Sequence, residues 1–468
     1  MNLKPYPEYK DSGVQWLGKV PKHWEMRKTK YSFNERVQKG FPNEQLLAAT
    51  QTKGVVPKTH YENRTVIAQK DLHLLKLVKK GDFVISLRSF QGGIELAYYQ
   101  GIISPAYTIM NPNKEISGGY FKHLAKSKLF IKLLTTCVTG IREGQNIDYE
   151  ILKRNRIPIP TPEEQLAIAR FLDYKTAQIA RFIKAKKRMI ELLKEQKQVI
   201  INDAVTGKIV IKDEGGRLKA EKRPDSSFIP HPSSFLQTVP DGWEVRRLKN
   251  VVKTNQEALS EKTSPSYEFN YLDISSVKTG YLISKPQKLL FENAPSRARR
   301  IVKKGDTIVS TVRTYLRSVF HIENECDDLI VSTGFAVLTP DEIIDQRYIG
   351  YLLRSDIFID SVIRSSIGVS YPAISETKLG SLKILLPSSF IEQQQIVSYI
   401  ETKTAALDLT ISRTEREIAL MQEYRTRLIS DVVTGKIDVR DIEIPDTVDI
   451  GDTIDESIDE PEGEEELE

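Results

Sequence analysis

The chain states one pattern twice. Residues 164 to 209, EQLAIARFLDYKTAQIA through INDAVTGKI, return without a gap at 392 to 437 as EQQQIVSYIETKTAALD through ISDVVTGKI, an offset of 228 in a chain of 468 residues. Such a repeat constrains architecture before any local pattern does, since each copy has to fold as an equivalent unit. The echo continues upstream: VPKHWEMRK, with Trp24, returns as VPDGWEVRR, with Trp243, and KKGDFVIS at 79 to 86 returns as KKGDTIVS at 303 to 310. Each half therefore reads as a variable module followed by a matching helix. Duplication implies a pseudo-twofold object with two equivalent faces, and a partner that itself offers two sites.

The matched helices carry clear punctuation. Thr161, Pro162 and Glu164 form an N-cap, a first-turn proline and a glutamate three residues on, the pattern of a capping box; Ser389 and Glu392 repeat it. Gly207 and Gly435 follow the last apolar positions, where a left-handed C-cap suits glycine. Each helix spans about forty residues, or about 60 Å. Ile168, Leu172, Ile179, Phe182, Met189, Leu193 and Ile200 fall on three- and four-residue steps or their seven-residue sums, and Ile396, Ile400, Leu407, Ile411, Ile418, Met421 and Leu428 do nearly the same. One narrow stripe per helix is a coiled-coil seam, and two such helices in one chain can satisfy each other. The spacing leaves parallel and antiparallel pairing open.

The modules themselves, about 15 to 160 and 235 to 387, mix short β-rich runs such as DFVISL and TIVSTV with helical stretches such as YFKHLAKSKLFIKLL and YIGYLLRSDIFIDSVI, so both are expected to be α/β or α+β. Residues 210–234 are polar and rich in glycine, proline and serine, which predicts a linker.

Charge is distributed unevenly. From Asp438 to Glu468 there are 15 acidic residues against Arg440 alone, and the remainder holds 67 basic residues against 48 acidic. The acidic, aromatic-free end at 438–468 is expected to be a disordered tail. The basic body is the footprint of a nucleic-acid binder, although charge alone does not separate DNA from RNA or an anionic membrane. With only Cys137 and Cys326, neither a disulfide framework nor a cysteine zinc site is expected. The N-terminus has no apolar signal core and no window is long and apolar enough to span a bilayer, so a cytoplasmic protein with no membrane partner is expected.

Catalytic signatures are missing where an enzyme acting on DNA would show them. VTGK lacks the leading glycine of a phosphate loop and follows a helix instead of opening one. There is neither a Pro-Pro-aromatic tetrapeptide nor a GxGxxG loop after a strand, so methyl transfer by this chain is not expected. The histidines at 23, 60, 73, 123, 231 and 321 lack metal-ligand spacing. Glu163 and Glu164 are explained by the helix dipole. The expectation is a chain with no catalytic residues, no metal site and no bound cofactor of its own.

Recognition remains. Turn-rich segments at corresponding places in the two modules differ in residue: SLRSFQGG and TGIREGQN in the first, STVRTYLRS and SSIGVSYPA in the second. Arg88 or Arg313 suits a guanine edge, Gln91 or Gln145 an adenine, and Tyr315 or Tyr371 a sugar or methyl group. Lys53, Ser89, Arg142, Arg317 and Ser370 complete the candidate DNA-contacting set, with Arg297 and Arg300, beside Arg299, better suited to phosphate.

A variable domain that begins near a Trp-Glu pair and closes on a glutamine-bearing loop and a PxxxEQ helix start, followed by a long helix ending in AVTGKI, all of it twice, resembles the specificity subunit of type I restriction-modification systems. The resemblance covers nearly the whole chain except the acidic tail. It implies two pseudo-symmetric mixed α/β target recognition domains, 1–160 and 235–387, with helical spacer regions at 161–209 and 388–437 forming an antiparallel intramolecular coiled coil. It also implies double-stranded DNA with a bipartite, asymmetric target, each domain reading one half and the helices acting as a ruler. Catalysis would lie elsewhere, in two modification subunits that bind S-adenosylmethionine and, where present, two restriction subunits that use ATP and Mg. Lys184, Lys187, Arg188, Arg413 and Arg416 would face the modification subunits. Two departures are SIGVSYPAI, which lacks a glutamine equivalent to Gln145, and Ser388-Ser389-Phe390, which lacks the usual proline pair. A tandem coiled-coil scaffold that never touches DNA is the competing reading, and an enzyme with an unrecognised site is a third.

Overall fold

The computed structural model describes residues 3–60, 71–87, 89–139, 146–215, 217–230, 238–326 and 328–445. The chain divides into two compact units, Met1–Met189 with Thr414–Glu468, and Ile190–Arg413. Both long helices, Pro162–Val205 and Phe390–Val433, contribute one part to each unit.

In the first unit, strands Phe33–Glu35, Thr108–Pro112, Phe83–Ile85 and Glu95–Leu96 make an antiparallel sheet in that spatial order. Glu25–Lys28 pairs separately with Arg156–Ile159. Helices Gly118–Ala125 and Lys128–Thr136 cover the core, and the predicted helical stretch breaks between them where the Ser127 hydroxyl caps the second at Phe130 N. Trp24, Phe83, Tyr120, Phe121 and Phe130 are fully buried there together with Ile168 and Leu172 of the first long helix and Leu428, Val432 and Val433 of the second. Lys186 pairs with Glu417 further along, so the two helical segments in this unit run antiparallel.

The second unit repeats the plan. Its first sheet has the order Val252–Thr254, Phe335–Pro340, Thr307–Ser310, Val319–His321, and Trp243–Arg247 pairs with Lys383–Pro387. A second four-stranded sheet, Gln287–Leu290, Glu268–Leu272, Leu329–Ser332 and Ala298–Ile301, contains a parallel pairing between its two central strands. Helices Gln346–Leu353 and Asp356–Arg364 again break at a serine cap, Ser355. Ile201, Ala204 and Val205 share the core with Ile396, Val397 and Ile400, and Lys197 meets Asp408, so here too the helical segments are antiparallel.

Each helix end is held by the same three devices. Gln165 accepts from Ser117 N and donates to the Pro160 carbonyl, while Gln393 accepts from Asp345 N and donates to the Pro387 carbonyl. Both glutamines are buried, so these bonds replace water that is no longer available. The N-cap hydroxyls of Thr161 and Ser389 accept from Glu164 N and Glu392 N, but the glutamate side chains do not close the predicted box. Glu164 instead accepts from the Tyr6 hydroxyl and meets His23, and Glu392 accepts from Trp243 Nε1. Burial and the Glu164 carboxylate together hold the Tyr6 hydroxyl well above its usual range. At the far ends Gly207 and Gly435 take φ of 69° and 76°, and Lys208 N and Lys436 N bond back to the Asp203 and Asp431 carbonyls in Schellman closures.

The seam of the first helix is rotated from its predicted register. Ile168, Leu172 and Ile179 are buried as expected, but beyond them Ile183, Ile190 and Ile201 occupy the seam, while Phe182 and Met189 are 38% and 39% exposed. A shift of one residue turns the stripe by about 100°. The second helix keeps Ile396, Ile400, Ile411, Ile418 and Leu428, with Thr404 and Thr414 filling the intervening buried places.

Two segments are more ordered than their composition predicts. Residues 210–234 contain a hairpin, Ile209–Glu214 with Arg217–Lys222, cross-linked by Lys212 to Glu221, and Phe228–Pro230 pairs with Thr238–Pro240. The acidic end also begins inside the fold: Asp438 N bonds to the Lys4 carbonyl, Val439 is buried, and Ile442 and Ile444 pack on the first core. The expected disordered tail therefore does not begin at Asp438, and residues 446–468 lie outside the described residues.

His321 is buried beside Thr307, whose hydroxyl lies 2.9 Å from Nδ1, and burial followed by the charge of Arg354 pushes its pKa down to about 4. The folded imidazole stays neutral where the unfolded one, near 6.5, takes up a proton. Stability of the second unit is thus expected to fall by about 3 kcal/mol as pH drops from about 6.5 to 4. Denaturant titrations across that range should show this slope flattened in His321→Gln. A second test concerns the helix ends, since a Cβ on Gly435 would lie 2.3 Å from Pro21 Cδ and 3.1 Å from the Trp24 ring. Gly435→Ala is expected to cost about 2 kcal/mol or more through left-handed strain and this clash, read as a melting temperature several degrees lower.

Candidate nucleic-acid interface

The second unit presents the fuller recognition surface. The turn after strand Thr307–Ser310 places Arg313 and Arg317 on either side of a short 3-10 helix, Thr314–Leu316, and both arginines have left-handed backbones with φ of 49° and 57°. Left-handed non-glycine residues persist only where their surroundings hold them. Here the Thr314 hydroxyl bonds Ser366 at 2.8 Å, Thr314 N reaches the Pro372 carbonyl, Val312 bridges to Ala373, and Thr279 bonds the Arg317 carbonyl. The turn and the loop at 365–373 are thereby one surface.

The side chains on that surface divide in two. The Arg313 guanidinium lies 4.9 Å from the centre of the Tyr371 ring, and Tyr371 is 66% exposed. Tyr315 and Ser370 are exposed beside them, with Ile367 and Val369 almost fully so. Large apolar groups held in solvent by an ordered loop imply a partner surface. Arg317 faces the other way, pairing with Asp356 and Asp360 of the second short helix, and anchors the turn. Arg300 pairs with Glu376, and Arg297 pairs with Asp273 while its side chain stays mostly exposed. The guanidinium next to Asp273, together with the bonds from Ser275 and Tyr271, holds that carboxyl below its usual range despite partial burial.

In the first unit Lys53 is half-buried in the turn between Leu47–Thr50 and Gly54–Pro57, its amide donating to the Thr50 hydroxyl. Gln91 is exposed on the short helix Ser89–Gly92, whereas Ser89 is buried and its hydroxyl accepts from Ser86 N, so it shapes the loop from within. Arg88, Arg142 and Gln145 lie outside the described residues.

Two supporting residues were not singled out in the sequence. Lys126 Nζ donates to the carbonyls of Gln51 and Gly92 at 2.8 and 2.9 Å and pairs with Glu95, tying the Lys53 turn to the Gln91 turn. Gly93 adjoins this knot, and a Cβ there would lie 2.4 Å from the Ala125 carbonyl. At the same repeat offset, buried Arg354 donates to the Gly350 carbonyl, lies over Tyr351 and touches the Gly280 turn. Their shared signal was a cation just before the serine cap in both copies.

On the long helices Lys184, Arg188, Arg413 and Arg416 are exposed and Lys187 is half-buried. Among the described residues no three or more His, Cys, Asp or Glu side chains gather as metal ligands, and no helix is long and apolar enough to cross a membrane.

Comparison with known proteins places this geometry. Residues 240–419 match the family described as the type I restriction modification DNA specificity domain. Over that segment the chain is similar to type I specificity subunits. The MjaVIII specificity subunit of Methanocaldococcus jannaschii is 23% identical over 380 residues, covering 78% of this chain and 81% of that protein. The MjaIX specificity subunit of the same organism is 21% identical over 467 residues, covering 93% and 98%. A solved chain from a study of complex assembly and conformational transition of the type I R-M system aligns over 88% of this chain and 98% of its own length, with a TM-score of 0.54 and 16% identity, a likeness of fold.

The two arginines of the turn are expected to separate in a thermal melt. Arg317→Ala removes the partner of two carboxylates and should lower the melting temperature, whereas Arg313→Gly relieves left-handed strain and should leave it unchanged or slightly higher.

Proposed function

We propose that this chain is a type I specificity subunit, a non-catalytic reader of double-stranded DNA whose two modules each recognise one half of a bipartite, asymmetric target. The observation that carries this reading is the Arg313–Tyr371 surface: a strained, externally braced arginine stacked on an exposed tyrosine, flanked by Tyr315 and Ser370. A bidentate donor beside aromatic and apolar groups has the chemistry needed to read base edges in a major groove. In the first module Lys53 and Gln91 occupy the corresponding role, with Arg88, Arg142 and Gln145 completing it, and Arg297 contributes a phosphate contact in the second. The relatives named above are specificity subunits of restriction enzymes, which supports the same role here.

The long helices pair as an antiparallel coiled coil that sets the unread spacer and receives two modification subunits through Lys184, Lys187, Arg188, Arg413 and Arg416. The half-exposed Phe182 and Met189, displaced from the seam, add apolar area to such a docking face. S-adenosylmethionine belongs to the modification subunits, and ATP and Mg to restriction subunits where those are present. The domain limits follow the repeat, with recognition domains at 1–160 and 235–387.

Co-expression with the modification partner, followed by sequencing of methylated bases, is expected to reveal a two-part motif with a fixed gap. Replacing residues 20–160 with the corresponding domain of a relative should alter one half of that motif and leave the other unchanged; alteration of both halves, or of neither, would overturn the modular reading.

A further inference from the structure

Both units carry the same uncompensated set of cations at the strand pair that opens and closes the module. In the first, Lys28 lies directly opposite Arg156 on the antiparallel pair, and Lys30 follows in the 3-10 turn Thr29–Tyr31. In the second, Arg247 lies opposite Lys383, and Lys249 follows in the turn Leu248–Asn250. The local backbone is the same in both, since Thr29 N bonds the Asn155 carbonyl and Leu248 N bonds the Leu382 carbonyl. All six side chains are exposed, and none has an ion-pair partner among the described residues. In the second unit Arg247, Lys249 and Lys383 line one open concavity with Val245, Arg246 and Asn250.

The strand's alternation sharpens the contrast. One face of each strand balances its charge internally: Glu25 with Arg27, which also meets Glu115, and Glu244 with Arg246. The other face, where side chains of opposite parity point, holds the opposed cations. Like charges directly across an antiparallel pair destabilise it. The arrangement nevertheless occurs twice, in modules whose recognition loops differ.

We propose that Lys28, Lys30 and Arg156 in one module, and Arg247, Lys249 and Lys383 in the other, bind DNA backbone phosphates. The proposal rests on the DNA-reading role above and deepens it. Phosphate contacts position a protein without reading sequence, so two modules with different half-sites require the same charges at the same place. Opposed cations that repel each other are relieved when an anion sits between them. The concavity is mostly cationic, unlike the core of a protein interface, where lysine is depleted and apolar area is enriched.

The test uses the full chain with a fluorescent duplex carrying its target. Arg247→Gln/Lys249→Gln/Lys383→Gln removes three charges, and each phosphate contact contributes about 0.9 to the slope of log K against log salt, so the fall in affinity between about 50 and 200 mM salt should be roughly 40-fold smaller than in wild type. The ratio of target to non-target affinity should hold, and the melting temperature should stay level or rise as repulsion is removed. Lys28→Gln/Lys30→Gln/Arg156→Gln should behave alike, and single substitutions by about a third of the slope change. An unchanged slope in a wild type that binds DNA steeply overturns the phosphate assignment. An unchanged slope with loss of the modification partner also overturns it and gives the surface to that protein. No salt-dependent binding by wild type would instead defeat the DNA-reading role itself.

Discussion

Each unit is organised by the burial of two antiparallel helix ends in one module core. A helix start and a helix finish arrive side by side, and both expose backbone groups that the core has to satisfy. The buried glutamine at each start does this with one amide, accepting from one segment and donating to another. The glycine at each finish allows the chain to turn against a proline and a tryptophan, Pro21 and Trp24 in one unit, Pro240 and Trp243 in the other. Tyr120 illustrates the dependence: fully buried, it donates to the carbonyls of Pro158 and Val433, one before the first helix and one at the end of the second. Replacing either glutamine or Tyr120 by an apolar residue would leave unsatisfied polar groups in an apolar interior, each costing about 1–3 kcal/mol.

This arrangement separates scaffold from reading surface within a single module. The glutamines that hold the helix starts occur twice and are buried, so they are constrained by the packing and hydrogen bonds of the core. The loops that carry Lys53, Gln91, Arg313 and Tyr371 extend beyond that framework; Lys126 ties the first two together, and the Thr314–Ser366 bond joins the other two. Burial lowers the Arg354 pKa, and the Tyr351 ring and the Gly350 carbonyl supply part of what water would have given its guanidinium. Loop sequence can then vary without disturbing the core. Under the proposed function, that would let the target change while the assembly does not.

Much of this was legible in the sequence because the chain carries its own comparison. The helix limits, glycine caps and strands such as Phe83–Ile85 followed from residues that recur at one offset, whereas the breaks at Ser127 and Ser355 did not. The seam beyond Ile179 was misread because Phe182 and Met189 are as apolar as Ile183 and Ile190, and spacing alone does not choose between neighbouring stripes. The hairpin at 209–222 was hidden by its polar composition: Ile209 and Ile211 pack on the second core, while exposed charge pairs such as Lys212 with Glu221 cross between its strands. Ser89 and Arg317 looked available for contact, yet one is buried and the other is bound to two aspartates, which only the fold of the loop reveals. Glu164 was read as a cap, and its actual partners, Tyr6 and His23, lie 158 and 141 residues away in sequence.

The bond between Lys4 and Asp438 has a temporal consequence. The second unit is assembled from one continuous stretch of chain, but the first is closed by segments from both its beginning and its far end. On a ribosome, which builds from the N-terminus, the module made first has to wait with Trp24, Tyr120 and Ile168 uncovered until Leu428, Val432 and Val439 emerge. The module made second has no such delay. Order of synthesis and order of completion are therefore reversed, and the exposed first core is where a chaperone would be needed longest.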